Sequence, residues 1–207
     1  MKQDSRMSNE IFSTRRMEAL TDGVFAIAMT ILILDIKVEN FGDPTTNAQL
    51  VTAFINNGTN LISFIVSFLL LGSMWSVHMR QFEYITHTNR HLNMVNTLRL
   101  LIVVFMPLTT SISSAFPDLI LGRILLPLNF LALTIVSYWQ WRYAINPRNH
   151  LAKKIPKSFI RKSDIRNIAI IVTSAIVVLL SIFIGDKAFL ALAILPLILG
   201  PIQKKFA

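Results

Sequence analysis

The sequence predicts an all-α integral membrane protein with six transmembrane helices, and three observations predict it. The first is composition. Of the 207 residues, 53% are hydrophobic and only 15% charged, against about 25% charged in soluble domains, and mean hydropathy is +0.56. The second is pattern: the hydrophobic residues gather into continuous runs near the ~20 residues that a helix needs to cross the hydrocarbon core. Continuous rather than alternating runs exclude a β-barrel, the other fold that can satisfy its backbone in lipid. The third is charge placement, because basic residues fall in every second link.

The runs, in order, are 17–38, 59–80, 93–115, 118–144, 167–185 and 187–203. The first begins after Arg15 and Arg16, contains Asp22 near its start, and closes at Asp35. The second runs from Asn60 through Trp75 to His78. The third carries Asn96 and ends near Pro107 and a Thr/Ser run, and the fourth contains Pro127 and Asn129. The fifth is rich in Ile and Val. The sixth is short and holds Pro196 and Pro201, which favour kinks or helix ends. Together they read as a single six-helix domain over 1–207.

Orientation follows from Lys and Arg. The N-terminal segment, the 80–90 link, the 148–166 link and the C-terminal Lys204 and Lys205 are basic. The intervening links carry Glu39, Asp43, Asp118 and Asp186. With six spans all four basic segments lie on one side, so both termini are expected in the cytoplasm. Tyr138, Trp139, Trp141 and Tyr143 are expected as an aromatic belt there, and Ile155–Arg166 as a segment resting on headgroups.

The net charge of +9 therefore fits anionic lipid headgroups rather than nucleic acid. The absence of cysteine excludes disulfides and thiol chemistry. No catalytic set or phosphate loop is present, so no enzyme activity is expected. His78, His87 and His91 have only Glu83 for acidic company, too little for a metal site.

Placed on a helix at about 100° per residue with Ile27 at zero, Gly23, Thr30, Ile31 and Leu34 fall within about 60° of Ile27, while Asp22 lies about 140° away. If the Ile27 stripe lines a pathway, Asp22 does not. A carboxylate at this depth is costly unless paired, and Arg16, Trp75, His78, Asn93 and Asn96 are its candidate partners.

The pattern Arg16-x-x-x-Leu20-Thr21-Asp22-Gly23 closely resembles the first-helix signature, Arg-x-x-x-Phe-Ser-Asp, of the prokaryotic branch of the lysosomal potassium channel family (the transmembrane protein 175 family). Leu20 stands for Phe and Thr21 for Ser. The resemblance continues through Trp75-x-x-His78, Asn96 and Pro107, covering roughly residues 16–110. It implies a six-helix subunit without a P-loop, assembled as a homotetramer with helix one around the pore. It implies a potassium-permeable channel of the prokaryotic plasma membrane, with passive K⁺ flux and no cofactor. The family's aliphatic constriction falls on Ile27, with Ile31 and Leu34 further along the pore and Thr30 as a hydroxyl ring. Arg16, Thr21, Asp22, Trp75, His78 and Asn96 form the expected structural network, and Asp35 is expected to attract cations at the outer mouth. The alternatives are a proton-coupled transporter or proton pathway using Asp22 and His78, and an accessory membrane protein without flux.

Overall fold

The structure, a computed structural model, describes residues 12–184 and Ala188. The expected sixth span, 187–203, lies outside these residues save for Ala188. Among them are six α-helices: α1 (Arg15–Ile31), α2 (Asn47–Asn56), α3 (Gly58–Phe82), α4 (Arg90–Ala115), α5 (Ile120–Ala144) and α6 (Lys157–Ile184). Among the described residues, five segments are long and apolar enough to cross a membrane: Arg15–Phe41, Gly58–Phe82, Arg90–Ala115, Ile120–Ala144 and Lys157–Phe183.

Helix α1 ends sooner than expected. It tightens into 3₁₀ geometry at Leu32–Asp35 and again at Val38–Phe41, so a 100° phase cannot be carried past Leu32. Gly42 then turns the chain at φ +66°, a conformation that favours glycine. The short helix α2 is additional to the predicted spans. It starts on a capping box in which Thr46 and Gln49 satisfy each other's backbone N–H. The T-shaped pair Phe41–Phe54 and the bond from Asn57 Nδ2 to the Asn40 carbonyl hold it in place.

The core lies between α1, α3, α4, α5 and α6, with Phe25, Leu32, Leu70, Leu71, Val103, Met106, Leu126, Phe130 and Leu133 at its centre. Helices α4 and α5 form a tight hairpin. Ser113 Oγ donates to the Gly122 carbonyl. Asn129 Nδ2 reaches the Ile102 carbonyl and Thr109 Oγ1, both at 3.3 Å, bridging α5 to α4 where Pro107 interrupts the helix ladder.

A second cluster closes the basic end of the bundle and includes Met17, Phe82, Ile85, Leu92, Trp141 and Leu151. Strands β1 (Phe12–Ser13) and β2 (His87–Thr88) pair antiparallel there, and Ile85 bridges to Ala152. The N-terminal segment, the α3–α4 link and the α5–α6 link are thus stitched together. Two expectations change at this end. Trp141 is buried in the cluster rather than sitting in an exposed belt, although Trp139 is exposed. Residues Lys157–Arg166, expected on the headgroups, are the first turns of α6, because Lys and Arg are good helix formers and can extend a span into the interface.

Candidate functional site

Helix α1 is buried on one face only. Met17, Thr21, Phe25 and Ala28 pack inward, followed by Leu32. On the opposite side Ile27 is 60% and Ile31 44% exposed, and Leu34, in the 3₁₀ stretch beyond α1, is 69% exposed. Thr30 is exposed on the same side, and its hydroxyl donates to the Ile27 carbonyl at 2.9 Å, leaving the oxygen's lone pairs outward. Ala19, Gly23 and Ala26 are also exposed, and nothing lies within 4 Å of where a Gly23 Cβ would stand. The uncovered face therefore holds an aliphatic line beside a line of small residues.

Behind the buried face lies a directed chain of hydrogen bonds. Arg99 Nη1 donates to Gln140 Oε1, Gln140 Nε2 to Asn96 Oδ1, and Asn96 Nδ2 to Thr21 Oγ1, each at 3.0 Å. The Thr21 hydroxyl donates to the Met17 carbonyl at 2.7 Å. Helices α5, α4 and α1 are thus joined through buried side chains. The Arg99 guanidinium also lies 5.6 Å from the centroid of the Phe25 ring, a cation–π contact with α1.

The expected network is thus split. Thr21 and Asn96 meet, as do Trp75 and Asp22, whose indole N–H to Oδ1 bond is 2.9 Å long. Arg16 is exposed, and no ion pair joins it to Asp22 among the described residues. His78 is buried and packs at a tilt against Phe82, ring centroids 4.1 Å apart, with Nδ1 unpaired. Asp35 is half-buried with Oδ2 closed off from solvent, beside Ser111 of α4 rather than open at a mouth. Helix α3 therefore holds the Asp22 edge of α1, and α4 holds the Thr21 face.

Sequence reasoning missed Arg99 and Gln140. Arg99 carried a signal, a charge in the first half of an otherwise apolar run, which marks a functional or paired group. Gln140 carried none, since its role depends on how α5 is rotated against α4.

Fold and site together define a polytopic helical membrane protein whose first span is anchored on one side and bare on the other. The family model described as "Endosomal/lysosomal potassium channel TMEM175" matches residues 16–107, from the start of α1 to Pro107 of α4. A protein of Chamaesiphon minutus named a potassium channel is 33% identical over 144 residues, covering 68% of this chain and 70% of that one. A Streptomyces collinus protein, also named a potassium channel, is 39% identical over 101 residues, covering 49% and 48%. The endosomal/lysosomal proton channel TMEM175 of Gallus gallus is 35% identical over 115 residues. The chain spans only 23% of the length of that relative. The fold resembles the crystal structure of a lysosomal potassium-selective channel TMEM175 homolog from Chamaesiphon minutus, with a TM-score of 0.65 at 28% identity, covering 87% of this chain and 94% of that one.

The chain belongs to the TMEM175 family of channels.

Proposed function

We propose that this protein is a potassium-permeable cation channel of a prokaryotic plasma membrane, a homotetramer of single six-helix domains whose four α1 helices surround the pore. One observation carries the reading: the face of α1 with Ile27 and Ile31, and Leu34 just beyond the helix, are left bare by their own subunit. The neighbouring line of Ala19, Gly23 and Ala26 suits close approach of another helix, as small residues do between membrane helices. Four Ile27 side chains then form an aliphatic constriction that gates by dewetting, with Ile31 and Leu34 continuing it. Thr30, whose hydroxyl hydrogen is held by Ile27, offers oxygen lone pairs to a partly dehydrated cation. Such a filter separates K⁺ from Na⁺ modestly, through the lower cost of dehydrating K⁺. The proteins of Chamaesiphon and Streptomyces named potassium channels support the choice of ion.

The test is ion flux in proteoliposomes of verified oligomeric state. Ile27→Asn should change conductance or K⁺/Na⁺ selectivity, and Leu101→Asn, on an exposed face of α4, should not. Equal effects at both positions, or no K⁺ flux from verified tetramers, would refute the proposal.

A second reading, a proton pathway through Asp22 and His78, draws on relatives named proton channels. It requires proton flux that disappears in Asp22→Asn while the fold and assembly persist.

A further inference from the structure

Arg99 is 1% exposed in the middle of the bundle. One of its nitrogens is bonded to Gln140 and the Phe25 ring covers part of the guanidinium. The N–H of Nε and the two of Nη2 have no acceptor. No carboxylate pairs with it among the described residues: Asp164 is paired with Arg142, and Asp22 is taken by Trp75. A buried, uncompensated guanidinium is among the costliest groups a membrane interior can hold.

The Ser67–Thr110 hydrogen bond sets the register of α3 against α4 so that His78 falls level with Arg99, and neighbouring turns of α3 and α5 carry further buried polar groups. Gln81 Nε2, the Ser137 hydroxyl and His78 Nδ1 are buried without partners, and each side chain is more than nine-tenths buried. His78 lies within coulombic range of Arg99. Ser137 is one turn from Gln140 on α5, and His78 and Gln81 are one turn apart on α3. Every unpaired group in this layer is able to donate. Water would satisfy some of these donors but would leave the positive charge uncompensated, whereas an anion does both.

We infer that each subunit holds a small monovalent anion of the halide class, with chloride the physiological example, between α3, α4 and α5 beside Arg99. This site lies behind the buried face of α1. It is separate from the proposed cation path on the opposite face and does not depend on it.

The test is thermal unfolding of the purified full-length protein at constant K⁺ and ionic strength, with chloride or bromide replacing gluconate. Because the anion would bind the folded state alone, the midpoint should rise saturably, by several degrees, as halide increases. Arg99→Met should abolish that dependence. Gln81→Leu and Ser137→Ala should each raise the half-maximal halide concentration about threefold to tenfold, the worth of one hydrogen bond, and they decide the matter if Arg99→Met does not fold. Ile27→Asn should leave the dependence unchanged. Bromide-soaked crystals should give anomalous density beside Arg99. A wild-type midpoint indifferent to halide, a halide effect that survives Arg99→Met, or density for water alone would overturn the inference.

Discussion

Thr21→Val removes one hydroxyl and almost nothing else. Thr21 is fully buried, and valine fills its shape. The Met17 carbonyl that loses the Thr21 hydroxyl keeps its helical partner, since both residues lie within α1. The loss falls on Asn96 Nδ2, which has Thr21 Oγ1 as its acceptor at 3.0 Å. A buried donor left unpaired costs about 1–3 kcal/mol. Side-chain hydrogen bonds between membrane helices are weaker, averaging ~0.6 kcal/mol with a maximum near 1.7. The expected loss is therefore about 1–2 kcal/mol, or roughly a 5- to 30-fold fall in the folded-to-unfolded ratio.

The assay is reversible unfolding in mixed micelles by titration with a denaturing detergent, run as a double-mutant cycle with Asn96→Ala. Asn96→Ala alone should cost more than Thr21→Val, because it also strands Gln140 Nε2. The coupling energy should fall between about 0.6 and 1.7 kcal/mol. Thr21→Ser keeps the hydroxyl and should lose only the packing of a methyl group, about 0.8 kcal/mol, with its coupling to Asn96 intact. Coupling indistinguishable from zero, with both single variants destabilised, would refute the claim that this bond locks α1 to α4.

Two further outcomes follow from packing and charge. Gly122→Ala would drive its Cβ into the backbone carbonyl of Phe116, which cannot yield without moving the α4–α5 turn. It should destabilise by about 1–3 kcal/mol, read in the same unfolding assay. Arg142→Ala breaks the 2.7 Å ion pair to Asp164, whose arginine side chain is 49% exposed. It should cost under about 1 kcal/mol, with a difference from wild type that shrinks as salt is raised.

What the sequence disclosed, and what it hid, divides along physical lines. Runs read as 59–80, 93–115 and 118–144 correspond to Gly58–Phe82, Arg90–Ala115 and Ile120–Ala144, because apolar length directly reports the thickness of the bilayer. Hydropathy reports depth rather than helicity, so it could not show that α6 begins at Lys157. The Thr46–Gln49 capping box was legible as a helix start, and α2 follows it. The 3₁₀ stretch after Ile31 has no local marker, and the β1–β2 pairing joins residues some 75 apart. Helical phase grouped Ile27, Thr30 and Ile31 on one face, but the choice of Ile27 as its centre came from the resemblance, and phase alone did not say that this face is exposed. Its anchorage was half legible: Trp75–Asp22 and Asn96–Thr21 join residues already singled out, but Arg99 and Gln140 complete the layer.

The two anchors determine what any experiment on α1 can mean. Asn96 and Arg99 hold α1 on the Thr21 and Phe25 side, and Trp75 holds it at Asp22. Relative to Ile27, Thr21 lies at about 120° and Asp22 at about −140°. The arc left free between them contains Gly23, Ile27 and Thr30. Weakening either anchor lets α1 rotate, so altered flux in Asp22→Asn does not by itself identify Asp22 as a proton carrier. Water access at Ile27 separates the cases. The chain has no cysteine, so Ile27→Cys introduces one unique thiol. In assembled channels a charged, membrane-impermeant thiol reagent should label it, because a thiol ionises and reacts only where water reaches it. Leu101→Cys should resist the same reagent. Labelling of Ile27→Cys that is lost in the Asp22→Asn background, with assembly intact, assigns Asp22 to holding the helix in register. Absence of labelling in the wild-type background, under conditions where K⁺ flux is measured, would place Ile27 against lipid and remove the pore from this face of α1.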